Sequence, residues 1–532
     1  QNNDPISSPS VPPLNPFEST TEPEAIEDDD PPAANTDENF REFWQASGQR
    51  ILKETLKRKV NMKKAKNLII FVADGMSIPT QTAARMYMGG EDKVLSFEEF
   101  PSVGLAKDSN PNFPQTYCVN YQVPDSACTA TAFLSGIKTN FGVLSMSANV
   151  PLRNCSAETD ESNHVDSIFK FAQDAKKATG IVTTSRVTHA TVAAAYAKSA
   201  SRYWESDSMT PEGCKDLADQ LVHGDIGKHL DVILGGGYRE FLPNNTKDPQ
   251  GRTGWREDGR DLIRDFITSQ RRVWLAHDRA SLNSPNVNHI DKLLGLFSES
   301  HMQYHLFNDK TYEPTLMDMT KKALQVMNKN PNGYVLLVES ARIDHAHHEN
   351  RANLALAETV HFHEVVDYVR KQVNESETLM VVTADHSHTM SISGYPQRGN
   401  NILSSGDFSR EDNMLYFTLS YANGMGFYDH FNESGRANPL EMNFRDPNFT
   451  HPAMVPLVES THAGDDVGVY AVGPHSHLFT GVYEQHYIAH AMMYATCLGP
   501  EEFLKCKACS AAAVKSSFVF LLLSFIAKIA TD

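Results

Sequence analysis

Short, nearly continuous apolar runs alternate with helical stretches along most of the chain. The runs predicted to be strands are rich in Ile, Val and Leu, and they lie at residues 68–73, 180–184, 231–234, 334–338, 379–383 and 467–471. Strands with this pattern, rather than an alternation of apolar and polar residues, are buried on both faces. Helical segments such as residues 353–373 lie between several of them. The pattern predicts an α/β fold, with a doubly wound, mostly parallel sheet and helices on both faces.

The pattern changes near both ends and once inside the chain. Residues 1–40 are rich in Pro, Ser, Thr, Glu and Asp, and we expect a disordered leader because this composition cannot bury enough apolar surface to fold. Residues 40–58 are amphipathic and predict a helix on the outside of the domain. Residues 394–456 are rich in Gly, Asn, Ser and Pro, with weak periodicity. We expect them to form an inserted surface subdomain.

The C-terminal tail has the order of a lipid-attachment signal. The apolar run at 518–529 is too short to span a bilayer as a helix, which needs about 20 residues. Small residues at 510–513 precede it, and this order resembles a GPI-attachment signal over 506–532, with Cys509 and Ser510 as the nearest attachment candidates. The alternative is an apolar helix that docks on the body.

Five Asn-x-Ser/Thr sequons also favour the secretory route, at Asn154, Asn244, Asn374, Asn432 and Asn448. We therefore predict a protein anchored on the extracellular face of the plasma membrane.

Charge and cysteine content exclude two kinds of function. The 532 residues carry a formal net charge of −18, which argues against a nucleic-acid partner because phosphate backbones require clustered Lys and Arg. An anionic substrate would need local positive charge in so negative a body, and bound metals can supply it. None of the seven cysteines forms a repeated C-x-x-C pair, so a structural zinc ribbon is not expected.

Metal-binding side chains follow the ends of several predicted strands. In open α/β sheets, ligands bind beyond the carboxyl ends of the strands. One aspartate there would be explained as a helix cap, but a set of such residues predicts a metal centre. The residues are Asp74, His189, Thr191, Glu339, Asp385 and His386.

Two further segments add ligands and a nucleophile. Asp344 and His348 stand four residues apart, so a helix would set them on one face to share a metal, and oxygen with imidazole suits zinc. The alternative is a solvated polar turn.

Small residues follow Ser126, as at a helix start, where free N–H groups favour an anion. The alternative is an ordinary cap. No histidine near Ser126 in the sequence offers a base, so activation of its hydroxyl by a metal is the better account.

These segments resemble the alkaline phosphatase family, and most closely its animal, membrane-anchored branch. The resemblance runs in order from residue 65 to 506 and rests on AKNLIIFVADGMS, VPDSACTATA, TTSRVTHA, VESARIDHAHHE, VTADHSH and ESTHAGDDVGVYAVGP. It implies a catalytic domain over 41–505, with 394–456 as a crown-like insertion. It also implies hydrolysis of phosphate monoesters, phosphoproteins included, at alkaline pH through a phosphoserine intermediate. Specificity would be broad, and the enzyme would be a homodimer.

The resemblance also assigns roles, with two zinc ions and one magnesium ion per chain. The first zinc would be held by Asp344, His348 and His462. The second would be held by Asp74, Asp385 and His386, with Ser126 as nucleophile. Magnesium would be held by Asp74, Thr191 and Glu339. Arg202 would grip the phosphate as a bidentate fork, oriented by Asp125. The residues expected to surround and orient the ligands are His189, His345, His388 and Glu459.

Disulfides and calcium complete these expectations. The resemblance implies disulfides between Cys155 and Cys214 and between Cys497 and Cys506. It assigns no partner to Cys118, Cys128 and Cys509. A Cys118–Cys128 link is possible but would crowd the nucleophile loop. Animal members often bind calcium through acids, but Gln250 and Ser298 stand at two of those positions and leave Glu313 with the Phe297 carbonyl. Calcium prefers six to eight oxygens, so we do not expect a strong site.

Three other functions were weighed. A phosphodiesterase of the same superfamily usually has Thr as nucleophile and lacks the third metal. A sulfatase needs a C/S-x-P-x-R context, which is absent from the chain. A lipid-anchored, glycosylated surface receptor on a phosphatase scaffold would retain the fold without turnover. The complete ligand set favours the enzyme.

Overall fold

The apolar runs form the centre of one large sheet. The computed structural model describes residues 36–106, 116–247 and 251–500. Its strands are β1 (Asn67–Ala73), β2 (Ser102–Ala106), β3 (Ala178–Arg186), β4 (Val232–Gly236), β5 (Val273–Ala276), β6 (Lys292–Leu296), β7 (Tyr334–Ser340), β8 (Thr378–Thr383), β9 (Ser387–His388), β10 (Met390–Ile392), β11 (Ser405–Ser409), β12 (Met414–Phe417), β13 (Leu419–Gly424), β14 (Phe431–Asn432), β15 (Gly435–Arg436), β16 (Ala453–Pro456), β17 (His462–Ala463), β18 (Val467–Val472) and β19 (Gly481–Tyr483).

Helices cover and connect this sheet. They are α1 (Arg41–Leu56), α2 (Ile78–Tyr87), α3 (Ser126–Ser135), α4 (Cys155–Glu158), α5 (Ile168–Asp174), α6 (Ala190–Ala193), α7 (Leu217–His223), α8 (Leu262–Ser269), α9 (Arg279–Asn283), α10 (Leu316–Met327), α11 (Arg342–His348), α12 (Ala352–Gln372), α13 (Gly426–His430) and α14 (Tyr487–Thr496). Both α12 and α14 contact the central strand β1, and α14 also packs on α3.

The sheet has ten strands in the order β19-β2-β18-β8-β1-β7-β3-β4-β6-β5. From β8 to β5 every neighbouring pair is parallel, while β18 runs antiparallel to both β8 and β2. The prediction of an α/β fold with a mostly parallel sheet is confirmed. The six predicted strands are β1, β3, β4, β7, β8 and β18. Because they lie inside the sheet, nearly all their residues are buried.

The short strands near the two edges of the sheet were not predicted. Strand β2 alternates buried and exposed residues, and β5 and β19 are largely half-buried or exposed. A strand that is exposed on one face does not need a continuous run of apolar residues. These strands therefore lack the continuous apolar run by which the inner strands were predicted. Residues 394–456 lie outside the large sheet and form small ones, β11–β12 and β14–β15, and they supply β13 and β16 to a sheet with β10.

The two ends of the described chain differ in packing. Helix α1 spans 41–56 and buries none of its residues, in line with the outer helix expected over 40–58. Of the predicted leader, residues 1–35 lie outside the described residues, and so does the predicted lipid-attachment segment 506–532. Within the described ranges, no helix combines the length and apolar character needed to cross a membrane.

Two disulfides lie wholly within the described chain. Cys155 pairs with Cys214, as expected. Cys118 pairs with Cys128 at a Cα–Cα distance of 5.6 Å, so the link that the sequence left possible is formed. The loop accommodates the bond because Cys128 lies in the first turn of α3, where the chain has already turned back toward residue 118. Cys497 is also disulfide-bonded, and its expected partner, Cys506, lies outside the described residues.

Candidate metal centre

The predicted ligands meet at the carboxyl edge of four adjacent strands. Strands β8, β1, β7 and β3 are neighbours and parallel, so the residues at their carboxyl ends share one edge. Asp74 follows β1, Glu339 lies near the end of β7, and Asp385 and His386 follow β8. All four are fully buried. The topology therefore brings together side chains that are about three hundred positions apart in the chain.

One group of ligand atoms joins α11 to β17. The His348 Nε2 atom lies 3.1 Å from His462 Nε2 and 3.4 Å from Asp344 Oδ2. His462 Nε2 lies 3.5 Å from Asp344 Oδ1. Atoms bound to one tetrahedral zinc at 2.0–2.1 Å are separated by roughly 3.3–3.4 Å. The spacing of these atoms fits one shared zinc ion.

Hydrogen bonds on the far side of each imidazole orient this group. The Nδ1 atom of His462 donates to the Pro124 carbonyl at 2.7 Å, and that of His348 donates to the Ser460 carbonyl. Each bond fixes the tautomer that leaves Nε2 free to bind a metal. His388 donates from Nε2 to Asp344, so it lies where an orienting partner was expected. Glu459 is exposed, and its charge acts on His348.

A second group surrounds the imidazole of His386. Its Nε2 atom lies 3.2 Å from Asp385 Oδ2, 3.4 Å from Asp74 Oδ1 and 3.3 Å from Ser126 Oγ. These separations again match those of atoms on one tetrahedral metal ion. The Ser126 hydroxyl therefore lies at a distance from His386 that would suit a fourth ligand of an ion held by these three residues.

The third group consists mainly of oxygen atoms. Asp74, Glu339 and His189 place ligand atoms within 4.8 Å of one another. Thr191, in α6, is buried, and its hydroxyl oxygen makes no hydrogen bond within the described residues. Glu339 also accepts hydrogen bonds from Thr183 and Ser185 through Oε2, while its Oε1 accepts none. Carboxylate and hydroxyl oxygens are ligands that magnesium prefers.

The charges of the centre call for cations. Burial, together with the charges of Asp385, Asp344 and Glu339, raises the pKa of Asp74 well above its usual value. Neither carboxylate oxygen of Asp74 takes part in a hydrogen bond. Burial likewise raises the pKa of Glu339 to about 7. A buried carboxylate without hydrogen bonds is costly unless it binds a cation, so the donor set fits metal ions.

The pair Asp344 and His348 shows the opposite effect. Burial alone would raise the pKa of Asp344, but the neighbouring His348 and His388 hold it well below its usual value. The carboxylate in turn raises the pKa of His348 to about 9, against the effect of burial. A proton on His348 thus stabilises this pair when no metal ion is bound.

Ser126 and Arg202 face the centre from a common support. Ser126 is 1% exposed and is the first residue of α3. Asp125 caps that helix by accepting from the backbone N–H groups of residues 127 and 128. It also accepts from Arg202 Nη1 at 2.9 Å and from Gly142 N at 2.9 Å. Arg202 Nη2 donates to His189 Nε2 at 3.1 Å, so His189 is neutral, in agreement with a pKa well below its usual value caused by burial and the two nearby arginines.

Some groups at the site were not predicted. The Pro124 and Ser460 carbonyls orient the imidazoles of His462 and His348, and backbone carbonyls leave no mark in a sequence. His301 lies in a loop after β6, with its ring centroid 4.1 Å from that of His345. It accepts from Arg186 Nη1 at 2.6 Å. His301 stands at no predicted strand end, which is why strand-end reasoning did not find it.

The residues expected near a calcium site do not fit that ion. Arg252 Nη1 donates to the Phe297 carbonyl at 3.2 Å, and Ser298 donates its hydroxyl to the carbonyl of His301. Glu313 accepts from Gln303 N at 2.9 Å and Asn308 Nδ2 at 3.0 Å. A guanidinium on the carbonyl would repel a second cation. Gln250 lies outside the described residues.

Comparisons with known proteins agree with one another. Residues 65–498 match the family model described as alkaline phosphatase. The chain is 41% identical over 486 residues to a membrane-bound alkaline phosphatase of Bombyx mori, covering 87% of this chain and 86% of that protein. It is 42% identical over 505 residues to the tissue-nonspecific alkaline phosphatase of Gallus gallus, covering 90% and 93%. Among solved structures, a mutant TAB5 alkaline phosphatase with Mg bound in its M3 site covers 82% of this chain and 100% of its own, with a TM-score of 0.56 and 21% identity.

Proposed function

The chain belongs to the alkaline phosphatase family and hydrolyses phosphate monoesters, and we propose that it does so through Ser126 at a centre of two zinc ions and one magnesium ion. The observation that carries this proposal is the position of the Ser126 hydroxyl, 3.3 Å from His386 Nε2. The Asp74 and Asp385 carboxylates lie 3.4 and 3.2 Å from the same Nε2 atom. Each of these distances matches the separation of two atoms bound to one tetrahedral ion.

Each ion is assigned to the group of atoms that fits it. The first zinc is assigned to Asp344, His348 and His462, the second to Asp74, Asp385 and His386, and magnesium to Asp74, Thr191 and Glu339. When bound, such ions neutralise charge on a phosphate and favour ionisation of a hydroxyl or a water near neutral pH. The three clusters of ligand atoms support this division.

The side chains of Ser126 and Arg202 have different roles in the proposed reaction. Ser126 loses its hydroxyl proton and attacks phosphorus in line with the departing alcohol, which gives a phosphoserine; water then hydrolyses that ester. Arg202 has N–H donors beyond the two used by Asp125 and His189, and these bind phosphate oxygens. The N-terminus of α3 adds a positive dipole end, although Asp125 already accepts from the N–H groups of residues 127 and 128. Arg202 and the N-terminus of α3 both act on the phosphate group and not on the alcohol. We therefore expect broad specificity for the alcohol part of the substrate, so that phosphoproteins are also hydrolysed.

Turnover should rise toward alkaline pH. Both half-reactions need a deprotonated oxygen, first the serine and then water. A proton on His348, whose pKa is raised to about 9 beside Asp344, also competes with a metal ion. A rate that rises as the pH falls below 7 would contradict the proposal.

A phosphoenzyme experiment tests the nucleophile. The protein, with zinc and magnesium bound, is mixed with a ³²P-labelled monoester and quenched in acid, which preserves a phosphoserine. Label should appear in the wild type and be absent from Ser126→Ala at unchanged zinc content. Ser135→Ala, at the other end of the same helix, is the matched control and should retain label. Turnover by Ser126→Ala at the wild-type rate would refute the assignment.

Rates on three substrates separate the rival functions. A monoester should be hydrolysed far faster than a diester or a sulfate, because Ser126 and a third group of ligands are both present. A diester hydrolysed faster than the monoester would indicate the phosphodiesterase. Protein loaded with zinc and magnesium that turns over none of the three would indicate the receptor.

We also propose that the protein is glycosylated and attached by a GPI anchor to the extracellular face of the plasma membrane. The order of apolar and small residues in the tail supports this, although Cys509 and Ser510 lie outside the described residues. Four sequon asparagines are exposed, and the fifth, Asn154, is half-buried and caps α4. Release of activity from cells by a phosphatidylinositol-specific phospholipase C, and a mass loss with peptide N-glycosidase, would test the two modifications.

A homodimer is proposed on the packing of α1. This helix buries no residue, yet large apolar side chains in and beside it are more than half exposed, namely Phe40, Trp44, Ile51, Leu52 and Leu56. So contiguous an apolar surface is typical of an interface. Light scattering should give twice the chain mass, and deletion of residues 36–56 should lower it. A chain of monomeric mass at micromolar concentration would contradict the proposal.

A further inference from the structure

The disulfide between Cys118 and Cys128 closes a small ring around the proposed nucleophile. We propose that this disulfide is a positioning element of the active site, which holds Pro124, Asp125 and Ser126 in the places that catalysis needs. The proposal rests on the function assigned to Ser126. The two cysteines are separated by 10 positions, and the three consecutive residues lie between them.

Each of the three residues contributes a different group to the centre. The Pro124 carbonyl accepts from His462 Nδ1 at 2.7 Å and so orients a zinc ligand. The Asp125 carboxylate accepts from Arg202 at 2.9 Å. The Ser126 hydroxyl lies 3.3 Å from His386 Nε2. A shift of this short segment would therefore disturb one metal ligand, the phosphate-binding arginine and the nucleophile together.

The Cys118 end of the ring is fixed to the body of the protein. Val119 N donates to the Thr139 carbonyl at 2.9 Å, and the side chain of Asn120 accepts from Phe141 N at 2.8 Å. The rings of Tyr121 and Phe141 pack with centroids 4.8 Å apart. Residues 139–141 follow α3, so the loop before this helix is tied to the loop after it.

The Cys128 end lies in the first turn of α3, beside the cap. Its backbone N–H donates to Asp125 at 3.3 Å. Both half-cystines are buried, at 1% and 2% exposure, and Cys118 Sγ lies 3.5 Å from Asp125 Oδ1. Reduction would place a thiol donor beside this carboxylate, where it would compete with Arg202 and the N–H of Gly142. The disulfide instead presents no donor and fixes the distance between the two ends of the ring.

The other described disulfide offers a matched control. Cys155 and Cys214 are half-buried and join α4 to a loop before α7. Neither sulfur has a described contact with the metal ligands, Ser126 or Arg202. Removing this second link changes the number of disulfides without changing the ring around the nucleophile.

Two pairs of variants test the proposal in the protein with zinc and magnesium bound. Cys118→Ser with Cys128→Ser is assayed with enough added zinc to keep its zinc content at the wild-type level, even if its zinc affinity falls. We expect kcat on a monoester to fall at least fivefold and the inhibition constant of phosphate to rise at least threefold. For Cys155→Ser with Cys214→Ser, both constants should stay within twofold of the wild type. A lower melting temperature with unchanged kinetic constants in the first pair would show a purely stabilising link and overturn the proposal.

Reduction of the folded wild type provides a second test that does not depend on refolding a variant. A trialkylphosphine with one water converts the disulfide to two thiols and itself becomes the phosphine oxide, and alkylation with mass spectrometry identifies which cysteines were reduced. With zinc and magnesium in excess, activity measured before alkylation should fall in step with reduction of the Cys118–Cys128 bond, and it should return when protein that was not alkylated is reoxidised. Full activity in protein whose Cys118 and Cys128 are both reduced would overturn the proposal. An equal loss of activity on reduction of the variant that lacks these two cysteines would also overturn it. Activity in Ser126→Ala would separately refute the proposed function.

Discussion

Replacing Asp125 with asparagine separates two roles of one buried carboxylate. Asp125 is 1% exposed, and it both caps α3 and pairs with Arg202, whose side chain is 14% exposed. The asparagine keeps an oxygen that can accept from the helix N-terminus and Gly142, but it removes the negative charge. Arg202 is left as a buried cation with a weaker partner.

The magnitude follows from the burial of the pair. Removing one partner of a buried ion pair costs about 3–5 kcal/mol of unfolding free energy, and the cap itself contributes about 1 kcal/mol. We therefore expect Asp125→Asn to lose about 3 kcal/mol and Asp125→Ala to lose about 1 kcal/mol more. A hydrogen bond to a charged group contributes about 1.5–3 kcal/mol, so a misplaced Arg202 should weaken phosphate binding by roughly 10- to 150-fold.

Three measurements test this expectation. Urea unfolding gives the loss of stability, inhibition by phosphate gives the affinity, and steady-state kinetics give kcat. Because the role proposed for Arg202 is to bind the phosphate rather than to attack it, the inhibition constant should rise by a larger factor than kcat falls. Asp261→Asn is the control, since Asp261 caps α8 in the same way at the N–H of Arg264 without contacting the centre. An inhibition constant within threefold of the wild type in Asp125→Asn would refute the role given to the ion pair.

Three further predictions concern stability. A chelator should lower the melting temperature by at least 10 °C, because removal of the ions leaves the buried carboxylates of the centre in mutual repulsion; calorimetry with and without added zinc checks this, and an unchanged transition would contradict it. Burial raises the pKa of Glu313 to about 7 from 4.5, so the cost of its charge is absent below about pH 4.5, grows as the pH rises and is complete above about pH 7, where it amounts to about 3 kcal/mol. Glu313→Gln should therefore stabilise the protein at pH 9 but not at pH 4.5 in urea unfolding, whereas a bound calcium ion would reverse the sign. Arg256→Ala should cost about 3–5 kcal/mol with kcat unchanged, because this fully buried guanidinium pairs with Asp216 and Asp258.

The sequence predicts most of the strands that are buried along their whole length, although it missed β6, in which four of five residues are buried. Strands β1 and β7 are buried on both faces, so their apolar runs identify them. The alternating or half-buried pattern of β2 and β5 depends on which neighbour covers each face, and that is a property of the assembled sheet. The strand ends of the large sheet likewise predict ligand types, but the division of Asp74, Glu339 and Asp385 among ions came only with the family resemblance.

Contacts that are made by backbone groups or between loops could not be predicted from the sequence. The Pro124 carbonyl holds His462, yet a carbonyl is the same in every residue. The Cys118–Cys128 bond depends on the path of a loop that turns back on itself, and the spacing of the two cysteines in the sequence left this bond only possible. His301 shares no strand end with His345, although their rings pack together.

The charge of the centre requires cations, and its geometry depends on the short loop at residues 124–126. A body with a net charge of −18 gathers four carboxylates at one sheet edge, which only cations can make favourable. The ligand atoms are already at zinc spacing because His348 and His462 are held by carbonyls and Asp344 by His388. One of those carbonyls belongs to Pro124, two residues before Ser126. Metal binding and nucleophile placement therefore depend on the same segment, and a change that moves residues 124–126 should affect zinc affinity and turnover together.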